Sequence, residues 1–319
     1  MSKEINRRDF GAVLLVVTIW GASFTIIKLG LHNFSPMLLG ALRYFFAAIP
    51  AILFIRPPAV RAKYWITYGL TVGVGQFGCL FYAIHLGMPA GLASVVHQSQ
   101  ALFTFLFSTV LLMEPVSRSQ VTGLGIAATG LCFIGYNTGI AAIPLGALLI
   151  TLAGAAFWGL SNIVIRKAAA AAAERGEQKL DMFGMVVWSS LVPSVPFLLF
   201  ALIQDSPKTI YSAITTLSGM SLFAILYLAF GATLFGFGVW SNMLSKYSAG
   251  QIAPLSLLVP VTGLLTAGLV LHEQLSITQW VGCFAVVSGL LVATFRRSGA
   301  MSKNANGSYC PNLLKDLLV

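Results

Sequence analysis

The side chains best able to do chemistry in this 319-residue chain are polar groups set inside long apolar runs. The run 90–112 holds Ser94, His97, Gln98, Ser99, Gln100 and Thr104. Helical spacing places Ser94 and Gln98 on one face and His97, Gln100 and Thr104 on another. Gln98 and Gln100 stand about 200° apart on such a helix, so both cannot face one cavity. Each either lines a pathway or bonds a neighbouring helix. His97 either couples protons or sits as a neutral imidazole bonded between helices. Gln76 lies at mid-depth in its own run, with Tyr82 and His85 nearer one end. Trp20, Ser23, Trp158, Ser161 and Asn162 offer aromatic walls with nearby polar groups, or simply pack. Pro254 and Pro260 flank Ser256. Each proline removes a donor and frees a carbonyl four residues back, which suits a bent, gating helix or a purely structural kink.

The ionisable groups narrow the chemistry. All nine acids can be placed, and none falls in the middle of an apolar run. A carrier of lipophilic cations commonly needs a buried carboxylate, so a cationic cargo fits poorly. Amides, hydroxyls and a few basic groups suit a zwitterion such as an amino acid. Lys28 and Arg43 lie inside runs, where a cation either snorkels outward, makes structural hydrogen bonds or meets a carboxylate-bearing substrate. Glu114 and Glu273 fall just past run ends, where capping the next helix or pairing with loop cations is expected. No GxSxG, HExxH or membrane-set pair of acids supports a catalytic residue, and no GxxxxGK[ST] loop supports ATP use. The cysteines Cys79, Cys132, Cys283 and Cys310 form no CxxC, so neither a disulfide framework nor a metal site is expected. No cofactor is expected either.

These groups must be positioned by membrane helices. The chain is 57% hydrophobic and 9% charged, with a mean hydropathy of +0.87; soluble domains carry about 25% charged residues. Ten runs approach the roughly 20 residues a crossing needs: 10–31, 36–55, 64–87, 90–112, 119–136, 144–165, 182–203, 219–244, 249–271 and 277–295. Breaks fall at Arg56-Pro57-Pro58, at Met113-Glu114-Pro115 and across the charged stretch 166–181. Gly87-Met88-Pro89 leaves only a turn, so the third and fourth runs should form an antiparallel hairpin. The first run is too long for a cleaved signal peptide and reads as a retained helix. With the N-terminus in the cytoplasm, sixteen of the 19 Lys and Arg fall on the cytoplasmic side, and Lys208 alone falls outside. That bias predicts an even number of crossings with both termini inside. It also removes nucleic acid as an explanation of the net charge of +10.

The chain repeats itself. Trp20-Gly21-Ala22-Ser23 with Lys28 is echoed by Trp158-Gly159-Leu160-Ser161 with Arg166. Ala90-Gly91 matches Ala249-Gly250, and Glu114 matches Glu273. Behind the glutamates, Gln120, Gly123 and Gly130 match Gln279, Gly282 and Gly289 without a gap. Five runs per half is odd, so the second copy must enter the membrane upside down. Inverted repeats are a transporter architecture with the substrate site near the midplane. The expected fold is therefore an all-α integral membrane protein of ten transmembrane helices in two inverted five-helix repeats. Its parts are a cytoplasmic N-terminus (1–9), repeats at 10–136 and 144–295, and a disordered cytoplasmic tail (296–319).

The paired halves, each with a Trp-Gly near its start and an Ala-Gly opening its fourth run, resemble the EamA family of the drug/metabolite transporter superfamily. The stretches Gly87-Met88-Pro89-Ala90-Gly91-Leu92-Ala93-Ser94 with Gln98 and Gln100, and Ala253-Pro254-Leu255-Ser256-Leu257-Leu258-Val259-Pro260-Val261, are similar to the branch exporting O-acetylserine and cysteine. The resemblance spans 10–295. It implies secondary export by alternating access in a bacterial inner membrane, with a small amino acid as substrate and the lipid bilayer as partner, in a monomer or homodimer.

Overall fold

The computed structural model describes residues 6–113, 118–135, 143–177, 179–247 and 252–295. The described residues are nearly all helical and contain no strand. Helices occupy each of the ten apolar runs: α1 (Arg7–Gly30), α2 (Pro36–Ile52), α3 (62–85), α4 (Ala90–Leu112), α5 (Arg118–Gly135), α6 (Leu145–Ala173), α7 (Met182–Gln204), and, beyond a short α8 (Pro207–Thr215), α9 (219–246), α10 (252–271) and α11 (Ile277–Phe295). By length and composition α1, α4, α6, α7 and α9 can cross a membrane; α2, α10 and α11 are shorter and apolar. Large apolar side chains such as Leu199, Ile203 and Phe284 point outward along these rods. In water such a surface would aggregate; in lipid it is solvated. The protein is an all-α membrane protein.

Two local features depart from the expectation. The stretch from Arg166 does not break the helix, because α6 runs on to Ala173. The run of alanines at 168–173 has the highest helix propensity available and carries the backbone through. Helix α8 was not anticipated. Its start is nevertheless written in Ser206-Pro207: proline sits in the first turn, and the Ser206 hydroxyl accepts from Thr209 N at 3.1 Å. The expected turn between α3 and α4 is present. Gly87 takes φ +101°, and Met88 N donates back to Ala83 O at 2.9 Å.

The repeated residues make reciprocal contacts. A Cβ on Gly123 would lie 2.4 Å from Gly289 O, and one on Gly282 would lie 2.7 Å from Gly130 O. Helices α5 and α11 therefore touch backbone to backbone, antiparallel, through small residues. The Trp-Gly motifs behave likewise. Gly21 of α1 leaves room for α10, where its Cβ would meet Gly263 N at 2.7 Å, and Gly159 of α6 leaves room for α4, where its Cβ would meet Thr104 N at 2.9 Å. Exchange of equivalent contacts is what a local two-fold axis produces. Backbone irregularities recur as well. Nine-residue π-helical stretches occupy Gly69–Phe77 in α3 and Tyr227–Phe235 in α9. Met113 and His272, each directly before a matched glutamate, are the non-glycine residues with positive φ among those described. Gln279, expected only as part of the repeat, closes a capping box at the start of α11: Ser276 N donates to Gln279 Oε1 at 3.0 Å, and Gln279 N donates to Ser276 Oγ at 3.3 Å.

Candidate functional site

Arg43 lies two turns into α2 and is only 2% exposed. It does not snorkel; that alternative is overturned, because the guanidinium turns inward against α3 and α9. Its Cζ stands 3.8 Å from the centroid of the Phe77 ring, with Tyr44 at 5.4 Å and Phe81 at 5.9 Å. A cation over aromatic faces is partly compensated for lost water. Nε and Nη2 donate to Thr233 Oγ1 at 3.4 and 3.2 Å. That oxygen can accept because its own proton goes to Leu228 O at 2.8 Å, a link five residues back that belongs to the π-helical stretch. Nη1 has no hydrogen-bond partner, nor does the buried Tyr44 hydroxyl. Among the described residues no carboxylate pairs with Arg43.

Arg43 faces a void of about 20 Å³, room for a water molecule. Its wall includes Tyr68, Gly69 and Gly73 of α3, Ser189 and Ser190 of α7, and Thr233 and Phe237 of α9. Both π-helical stretches thus contribute to one place. A π bulge inserts an extra residue in the turn and re-aims the side chains around it, and such bulges often mark functional sites. Sequence reasoning found Arg43 but missed the rest of this wall. Its only signal was glycine spacing, Gly69, Gly73, Gly75 and Gly78 against Gly231, Gly236 and Gly238.

The other expected site residues are distributed over three helix seams. Between α4 and α10, Gln98 Nε2 donates to Ser256 O at 3.2 Å. Pro260 cannot donate to that carbonyl, so Gln98 replaces the bond the proline removed. Ser94 Oγ donates to Gly91 O at 2.6 Å and approaches Pro260 O at 3.5 Å. The helix is irregular here as expected, with a 3-10 stretch over Ala253–Leu257; the side chain of Pro254 lies outside the described residues. Between α4 and α6, Asn162 Nδ2 donates to Gln100 Oε1 at 2.9 Å and to Thr104 Oγ1 at 3.0 Å. His97 packs on Trp158 with ring centroids 5.3 Å apart, and neither ring nitrogen has a well-formed hydrogen bond. The imidazole lies between α4 and α6 and packs between the rings of Trp158 and Phe24, the latter at 6.1 Å. Between α1 and α9, Trp20 Nε1 donates to Ala232 O at 2.9 Å, and its ring lies 5.1 Å from that of Trp240. Ser23 and Ser161 donate to carbonyls of their own helices, Ile19 O and Trp158 O. Gln76 is buried with Oε1 unpartnered, one residue from Phe77. None of these except Arg43 borders the void.

Lys28 has a different fate. Its Nζ lies 2.7 Å from Glu273 Oε1, which also accepts Ala90 N at 2.8 Å, while Oε2 accepts Gly91 N at 2.9 Å. Glu273 thus caps α4 and not the next helix, and its cation comes from α1 and not from a loop. The N-terminal N–H groups of α4 and the ammonium together satisfy one carboxylate. Glu114 and the tail after 295 lie outside the described residues. At the opposite end, Tyr247 Oη donates to Asp9 Oδ2 at 2.8 Å, and Lys246 Nζ lies 3.7 Å from Asp9 Oδ1.

Comparison with known proteins agrees with this architecture. The chain is 39% identical over 292 residues to a "Probable amino-acid metabolite efflux pump" of Salmonella typhimurium, covering 91% of this chain and 96% of the relative. It is 37% identical, with the same coverage, to the Escherichia coli K12 protein described in the same words. One solved crystal structure shares the fold, with a TM-score of 0.60 and 20% identity over 93% of this chain and all of that one. The profile of the EamA-like transporter family matches residues 10–136 and 144–295. This chain belongs to the EamA-like transporter family.

Proposed function

We propose that this protein exports small amino acids and their derivatives, of the cysteine and O-acetylserine type, across a bacterial inner membrane. The observation that carries the reading is Arg43, a buried cation with an unpartnered Nη1 and no described acid against it. A buried charge of this kind is costly unless something pairs with it. A substrate carboxylate supplies that partner, bidentately where the guanidinium geometry allows. The relatives named as amino-acid metabolite efflux pumps support the same substrate class.

Transport follows from opening the void on one side at a time. A void of about 20 Å³ cannot hold an amino acid, so the conformation described here is closed around Arg43. The two repeats, 10–136 and 144–295, form the rocking halves, with the matched Gly pairs of α5 and α11 and the Trp-Gly contacts as their fixed pivots. Lys28–Glu273 closes the outer seam between the halves, and Asp9, at the start of α1, closes the inner one with Tyr247 and Lys246 of the second half. Both termini face the cytoplasm. Reconstituted vesicles loaded with labelled cysteine or O-acetylserine should release either faster than empty-membrane controls. Folded protein without such release removes both substrates.

A further inference from the structure

The void has a second pole besides Arg43. Pro193 lies in α7 and has no N–H, so the carbonyl of Ser189 receives no helical bond from it. That oxygen faces α3 at the void: a Cβ on Gly69 would lie only 2.5 Å from it. Both neighbouring hydroxyls already spend their protons on one carbonyl, Ser189 Oγ at 3.0 Å and Ser190 Oγ at 2.7 Å from Val186 O. Their lone pairs remain as acceptors. The Tyr44 oxygen is unpartnered. The lining therefore carries a fork of cationic donors from α2 and, from α7, oxygen acceptors without a fixed negative charge. A simple carboxylate would use only the first. A molecule bearing a carboxylate and an ammonium uses both, and it adds no net charge to the bilayer interior.

We infer that the Ser189 carbonyl, released by Pro193, together with the Ser189 and Ser190 hydroxyls, forms a subsite for the α-ammonium of the substrate, so that the carrier selects zwitterions with a free amine. This rests on the reading of Arg43 as the carboxylate site, and the amine is tested separately from it. Proteoliposomes holding the full chain take up labelled cysteine in exchange for internal cysteine, and unlabelled competitors are compared. O-acetylserine, with a free amine, competes well; N-acetylcysteine and 3-mercaptopropionate, which keep the carboxylate, compete at least about tenfold less, since a buried acceptor pole is left unfilled. Pro193→Ala supplies an N–H to Ser189 O and narrows that gap at least about threefold. Pro196→Ala, in the same helix but away from the void, keeps the wild-type gap. Equal competition by O-acetylserine and N-acetylcysteine on the wild-type protein overturns the ammonium subsite, and this holds even if Pro193→Ala fails to fold. An unchanged gap in folded Pro193→Ala overturns the role of the Ser189 carbonyl. Absence of any cysteine exchange, or wild-type exchange by Arg43→Gln, instead overturns the carboxylate site on which the inference stands.

Discussion

Lys28 and Arg43 enter as equals: two cations inside apolar runs, each free to snorkel, to bond structurally or to meet a substrate. The structure separates them. Lys28 reaches a carboxylate that two backbone N–H groups also hold, so its charge is consumed in joining α1 to the seam between α4 and α10. Arg43 is more deeply buried, reaches only a hydroxyl and three aromatic rings, and keeps one nitrogen unpartnered. A satisfied buried charge holds a structure; an unsatisfied one leaves room for the proposed substrate carboxylate to pair with it.

The contrast predicts opposite responses to substitution. The largest effect belongs to Arg43. Arg43→Gln removes the carboxylate's partner and should lower substrate affinity by roughly 2–5 kcal/mol, about thirtyfold or more, without lowering the melting temperature. Arg43→Lys should recover little, because a lysine ammonium has neither the fork nor the flat face that lies on Phe77. Competition assays on proteoliposomes, with thermal melts alongside, measure both.

Lys28→Met should act in the other direction, on stability before affinity. It leaves Glu273 with its two backbone donors but no counter-ion, a loss of about 1–2 kcal/mol given that Lys28 is partly exposed. Glu273→Gln in the same chain should return part of that loss, so the two substitutions couple when melted singly and together. Additive losses would break the contrast by showing that the pair is incidental.

The smallest effect is expected at Gln98, a third polar group that the structure satisfies internally. Gln98→Ala removes one donor from Ser256 O and should cost roughly 0.6–1 kcal/mol, with flux per folded molecule close to wild type. Pro260→Ala restores a backbone donor to that carbonyl, so the double variant should melt near wild type. A large loss of flux in Gln98→Ala with an unchanged melt would instead move Gln98 into the pathway.

The helices themselves were legible, because apolar runs of about 20 residues bounded by Arg-Pro-Pro or Gly-Met-Pro leave few alternatives. The matched Gly positions and Gln279 were legible too, and they have a physical meaning in backbone contacts and a helix cap. What could not be read was the rotation of each helix about its own axis. Run composition places Arg43 at a depth, but whether it faces lipid or core depends on α3 and α9. Those helices are locally unwound into π turns that hydropathy does not register. Gln98 shows the same limit. Its partner is a carbonyl freed by a proline 162 residues away in sequence, a pairing invisible until α4 and α10 lie side by side.

The most direct test compares cysteine with cysteinamide, which keeps the amine and thiol but lacks the carboxylate, as competitors for cysteine exchange in proteoliposomes. Wild-type protein should prefer cysteine by at least about tenfold, and Arg43→Gln should lose that preference. An Arg43→Gln protein that exchanges cysteine at the wild-type rate and still rejects the amide would show that the carboxylate is held elsewhere.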